Sequence, residues 1–125
     1  MFLDGGRCGG HRILHPTTVE QMTQNQIPGL SAYMFDQRFG DASMGLGWLA
    51  ASPEPALNWP ILPSGSWAHS GTGFVYPWGD PSSGIVGVFC SVADRFRGPT
   101  SPDQVRHHGD LFVNMITAAT VDDGV

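Results

Sequence analysis

His69-Ser70-Gly71-Thr72-Gly73 places an imidazole and two hydroxyls among glycines. Imidazole titrates near neutral pH and can hold or release a proton there, and glycine lets a second backbone approach closely. Acyl transfer needs such parts: a base for the nucleophile and backbone N–H donors for the developing oxyanion. From spacing alone the stretch reads first as a structural histidine followed by a loop. The other candidates are weaker. His107 and His108 are neighbours on an expected helix and point different ways. His11 and His15 are four apart but straddle an expected helix start, so neither pair reads as a zinc site. Asp36, Asp41 and Glu54 lack the spacing of paired acid and base carboxylates, and Asp80 reads as a turn residue. Trp48, Trp59, Trp67 and Trp78 read as packing residues. Cys8 and Cys90 are too far apart for a CxxC motif and read as two free thiols, with one disulfide between them as the alternative. Nothing in these patterns calls for a metal or another cofactor.

The bulk composition narrows the rest. A length of 125 residues suits one domain, and 41% hydrophobic against 14% charged residues is a globular balance. Six Lys+Arg residues and a net charge of −5 exclude a phosphate-tracking surface, and with it nucleic acid or an anionic membrane as partner. No apolar run approaches the roughly 20 residues that span a bilayer. The opening Met1-Phe2-Leu3-Asp4-Gly5-Gly6 lacks the basic and apolar regions of a signal peptide, and the compartment stays undetermined.

The elements that must carry His69 follow from local signals. Phe2-Leu3 before Asp4-Gly5-Gly6 reads as the last turn of a helix with a glycine C-cap, a helix whose body this chain lacks. Pro16 opens an expected short helix through residues 17–25, with Val19 and Met22 on one face. Residues 26–39 show no period and read as an irregular connection. The alternation Met44-Gly45-Leu46-Gly47-Trp48-Leu49 reads as a strand approached by another backbone or a ligand, and Pro53, Pro55, Pro60 and Pro63 make residues 52–65 a loop. Strands are expected at residues 66–70, 74–78 and 85–92, the last two joined as a hairpin by Gly79-Asp80-Pro81-Ser82-Ser83-Gly84. The apolar run from Ile85 to Val92 suits a central strand covered on both faces. Ser101-Pro102-Asp103-Gln104 reads as a capping box. It opens a C-terminal helix of about four turns, striped by Val105, His108, Leu111, Phe112, Met115, Ile116 and Ala119.

Four patterns in order carry a resemblance: Phe2-Leu3-Asp4-Gly5-Gly6, then Arg12-Ile13-Leu14-His15-Pro16-Thr17-Thr18-Val19, then Gly45-Leu46-Gly47-Trp48, and finally Trp67-Ala68-His69-Ser70-Gly71 with Asp80-Pro81. The chain resembles the C-terminal part of the serine β-lactamase-like hydrolases: class C β-lactamases, esterases and penicillin-binding proteins. In that family a Lys-Thr-Gly or His-Thr/Ser-Gly triplet opens a strand, an Asp-Pro turn ends the next, and a terminal helix packs across the sheet. The resemblance implies that Thr72 lends its N–H to the oxyanion hole and that Gly71 keeps that edge bare. It also implies that Ser70 offers a hydroxyl to a substrate carboxylate or the proton network. His69 stands where many relatives carry Lys, so a conditional cation replaces a permanent one, which favours an esterase or peptidase-like relative. The departures are equally plain. No Ser here is followed three residues later by Lys, the chain has no Lys at all, and the family's Tyr-x-Asn element is absent.

The expectation is therefore an α+β fold: an antiparallel sheet of three to four strands packed by a C-terminal helix, one side of a β-lactamase/transpeptidase-like sandwich. Residues 1–125 would form a single partial domain that supplies the oxyanion-side strand through His69, Ser70, Gly71 and Thr72. Its partners would be the N-terminal portion of the domain and a small ester, amide or β-lactam substrate. Alone it would be inactive and would leave an apolar face uncovered. The alternative is a non-catalytic structural or interaction module derived from that fold.

Overall fold

The computed structural model describes residues 1–34, 37–40, 42–51, 62–69, 75–91 and 102–121. The chain opens in a helix-terminating geometry. The Gly6 N–H donates to the Met1 carbonyl at 3.0 Å and the Gly5 N–H to the Phe2 carbonyl at 3.3 Å, with Gly5 at φ 53°. This is the paired six-to-one and five-to-two pattern of a glycine C-cap. Strands β1 (Arg7–Cys8) and β2 (His11–Arg12) follow as an antiparallel hairpin. Its Gly9-Gly10 loop has both φ angles positive, as the tightest hairpin turns require. Arg12 ties the two pieces together: its Nη1 donates to the carbonyls of Gly5 at 3.1 Å and Leu14 at 3.0 Å.

Helix α1 (Pro16–Thr23) starts where Pro16 predicts, with the His15 Nδ1 accepting from the Thr17 N–H at the N-cap. It ends two residues before the expected Asn25, because that side chain turns to serve backbone N–H groups. The Asn25 Oδ1 accepts from Ile27 at 2.9 Å and Met44 at 3.3 Å. The irregular connection expected at residues 26–39 is wrong in its second half. There β3 (Ala32–Met34) and β4 (Gln37–Phe39) pair antiparallel. Tyr33 is 75% exposed, and the Ser31 hydroxyl accepts from Arg38 Nε at 3.3 Å and Nη2 at 3.1 Å. Each of these strands is three residues long, too short for an alternation to be read.

The strand expected over residues 44–49 is instead a turn. Met44 bridges to Leu49, the Gly45 N–H donates to the Trp48 carbonyl at 2.7 Å, and Gly47 has φ 89°. The close backbone approach read from its glycines is present: a Cβ on Gly45 would collide with the Met22 carbonyl. Only β5 (Leu49–Ala50) enters the main sheet. It is joined by β6 (Trp67–Ala68), β7 (Val75–Asp80) and β8 (Ile85–Cys90) in the order β5-β6-β7-β8, every pair antiparallel. The β7–β8 hairpin runs from Asp80↔Ile85 to Val75↔Cys90, so β7 continues two residues beyond the expected Trp78.

Strand alternation sorts this sheet into two faces. Ala68, Tyr76 and Trp78 lie on one face and meet Val113 of α2 (Pro102–Val121), with Leu62, Phe89 and Ile116 around them. Phe112 stacks edge-on to Trp78 at 5.9 Å and tilted to Phe89 at 5.5 Å. The predicted helix is present, but its buried stripe is shifted. Val113 is fully buried, Gly109 faces Phe89, and Ile116 packs on the core. Leu111 and Met115, assigned to the buried side, are 46% and 71% exposed, and Ala119 is also exposed. The helix is apolar on two arcs, and period alone does not say which arc meets the sheet. The side chains of Val105 and His108 lie outside the described residues, as does the Ser101 cap.

Among the described residues the opposite face is closed at one end only. Trp67 lies over Gly79 and clusters with Phe2 and Trp48 at ring separations of 4.6 to 5.3 Å. Beyond that cluster Val75, Val86 and Val88 are exposed, and among the described residues β8 is an edge strand covered on one face. The expectation of a central strand covered on both faces is not met within them. Both cysteines are free and exposed.

Asp80 is more than a turn residue. It is 6% exposed, and its carboxylate accepts from the Ser82 N–H at 2.9 Å, the Ser82 hydroxyl at 2.6 Å and the Ser83 hydroxyl at 2.5 Å. Burial pushes its pKa up, but the hydrogen bonds from Ser82 and Ser83 outweigh burial and hold it below the ordinary value. A carboxyl with a depressed folded pKa contributes stability above its unfolded pKa of about 3.9, lost as pH falls through the folded value. Urea midpoints measured from pH 7 to pH 2 should fall at the acid end, and Asp80→Asn should flatten that fall. An unchanged acid slope in the Asn variant would remove Asp80 as its source.

Candidate functional site

His69 is exposed and directly follows β6. Its N–H donates to the Pro77 carbonyl at 3.0 Å, which continues the register Trp67↔Gly79, Ala68↔Trp78 by one residue. In an antiparallel ladder such a pair exchanges two bonds. Pro77 has no N–H, so the return bond to the His69 carbonyl cannot form. This explains why β6 ends at Ala68 and not at the expected Ser70. Proline normally sits on edge strands or at strand starts. Here it lies within β7, between β6 and β8, at the position facing His69.

By alternation His69 shares a face with Trp67, the face away from α2. The aromatic cluster of Phe2, Trp48 and Trp67 lies to one side, and exposed Val75 lies on the neighbouring strand. Among the described residues this face is apolar around His69. The cations with described side chains are engaged elsewhere: Arg7 with the Gly10 carbonyl, Arg12 with Gly5 and Leu14, Arg38 with Ser31. Of the four residues singled out in the sequence, only His69 can be placed. Ser70, Gly71 and Thr72 lie outside the described residues. Among the described residues no group of three or more His, Cys, Asp or Glu could hold a metal ion. No helix there is long and apolar enough to cross a membrane.

Pro77, opposite His69, escaped the sequence reading although it carried a signal, since a proline inside an expected strand marks a missing ladder donor. Trp48 reads from sequence as a packing residue, and its partner Trp67 depends on how the residue 45–48 turn folds back. The fold and site together define an α+β chain: a four-stranded antiparallel sheet backed by a C-terminal helix, with an exposed histidine on the open face. No protein-family model matches the chain, and no curated protein matches it.

Proposed function

We propose that the chain is the C-terminal segment of a serine β-lactamase-like hydrolase, acting on an ester, amide or β-lactam and supplying the wall of the site that begins at His69. One observation carries this reading. His69 stands exposed at the end of β6 on the face opposite α2, while the Asp80-Pro81 turn closes the next strand. The upstream order of helix end, Gly-Gly hairpin and short helix supports it, being the order the resemblance implies. The complete domain would add the other layer of the sandwich, together with Ser-x-x-Lys and Tyr-x-Asn. His69 in place of the family's Lys favours an esterase or peptidase-like relative over one whose substrate is recognised through its carboxylate.

His69 then acts through its charge or its proton. The isolated chain should turn over neither a chromogenic ester nor a β-lactam. In the complete gene product His69→Ala should lower ester turnover and flatten its pH dependence between pH 5 and 9. His69→Lys should keep part of the rate if charge suffices and lose it if a neutral imidazole must carry the proton. Wild-type rates and pH profiles in both variants would make the histidine structural.

The second reading is a module that has kept the sheet and lost the chemistry. Exposed Val75, Val86 and Val88 favour it, since an apolar face serves binding without a nucleophile. Reading the coding frame upstream of Met1 separates the two: Ser-x-x-Lys and Tyr-x-Asn in frame support the enzyme, and their absence supports the module.

A further inference from the structure

We propose that Pro77 is a positioning residue for the site at His69, an inference that rests on the hydrolase reading for its function but not for its structural part. Antiparallel pairing turns the N–H and the carbonyl of a residue toward the same neighbouring strand. The Pro77 carbonyl accepts from His69. Its ring nitrogen therefore faces the His69 carbonyl and offers that oxygen nothing. The ladder toward β8 is untouched, since Pro77 pairs in register with Val88 and the hairpin continues on both sides. Among the described residues the break is one bond, between β6 and β7, at the residue where the candidate site begins.

Any other amino acid at position 77 would restore the donor and could draw the His69 carbonyl into the sheet. Proline holds His69 by one ladder bond where two are geometrically available. His69 stays anchored through its backbone N–H, while its carbonyl is not clamped to β7 at that pair. A net contribution of about 1 kcal/mol per backbone hydrogen bond makes the restored bond worth about fivefold in local opening.

The test is Pro77→Ala, with Pro77→Val as a second variant in case the first folds poorly, and native-state hydrogen exchange as the readout. In this chain the amide of residue 77 should be protected as a ladder amide. The His69 amide should exchange about fivefold more slowly than in the parent, while the amides of β8 stay unchanged. An amide at residue 77 that exchanges as fast as an exposed loop amide, with β8 still protected, would overturn the structural part. In the complete gene product, Pro77→Ala should lower kcat for ester hydrolysis and leave KM nearly unchanged, because substrate contacts remain while the geometry of the reacting edge shifts. Wild-type kcat with a protected residue 77 would overturn the positioning role while leaving the hydrolase reading standing. A parent protein with no turnover at all would remove the hydrolase reading, and the positioning role with it, while the exchange result decided the ladder break alone.

Discussion

Trp78→Ala is expected to cost about 3–5 kcal/mol, the usual range for truncating a buried tryptophan, a large part of the roughly 5–15 kcal/mol that holds a small domain together. The indole is 2% exposed and sits where three elements meet. Ala68 of β6 pairs beside it, Phe112 and Val113 of α2 close over it, and Gly87 of β8 lies beneath it. A companion change tests the same contact from below. A Cβ on Gly87 would collide with the indole ring, so Gly87→Ala should cost about 1–3 kcal/mol through overpacking. Urea unfolding followed by far-UV circular dichroism would measure both. A parent-like midpoint in either variant would mean that the helix and sheet do not pack through this contact.

In the complete gene product, Gly71→Val should lower ester turnover roughly 10²–10³-fold, the usual loss for one oxyanion donor. Under the hydrolase reading the N–H of Thr72 faces the oxyanion, and a branched side chain at residue 71 displaces that edge. The loss should fall on kcat, since the oxyanion forms only in the transition state. Thr72→Ala should cost far less, because it keeps the N–H. Equal losses in the two variants would move the role from the Thr72 backbone to its hydroxyl, and parent-like kcat in Gly71→Val would remove this edge from the oxyanion hole.

The local signals that held are the ones whose physics is local. A helix end at Gly5-Gly6, a helix start at Pro16, a hairpin around Asp80-Pro81 and a C-terminal helix all depend on φ preferences, missing donors or short-range hydrogen bonds. Those preferences act whatever the rest of the chain does. The β3–β4 hairpin is not legible because each of its strands is three residues long, too short for an alternation to be read. The residue 44–49 segment was misread because alternating Gly with large residues suits a strand and a glycine turn alike. The positive φ of Gly47 and the closeness of Met22 to Gly45 decide for the turn.

The candidate site divides the same way. His69 and its glycine-rich neighbours stand out by residue type and spacing, and so does Asp80 as a turn former. Which face His69 occupies depends on pairing register, since a slip of one residue would send it to the α2 side. The reach of β6 is likewise a pairwise matter: it stops at Ala68 because the residue opposite His69 is Pro77, eight positions away in the chain. At Asp80 the tertiary fold supplies the burial that pushes the pKa up, while hydrogen bonds from its near neighbours Ser82 and Ser83 outweigh it and hold the value low. The arc of α2 that meets the sheet follows from the fit of Val113 and Phe112 against Trp78 and Phe89, not from the period of the helix. Composition, caps, turns and the identity of the candidate site residues were determined by the sequence itself, because each rests on a single residue or its near neighbours. Register, facing and burial were decided only by tertiary structure, because each is a relation between segments that the chain brings together.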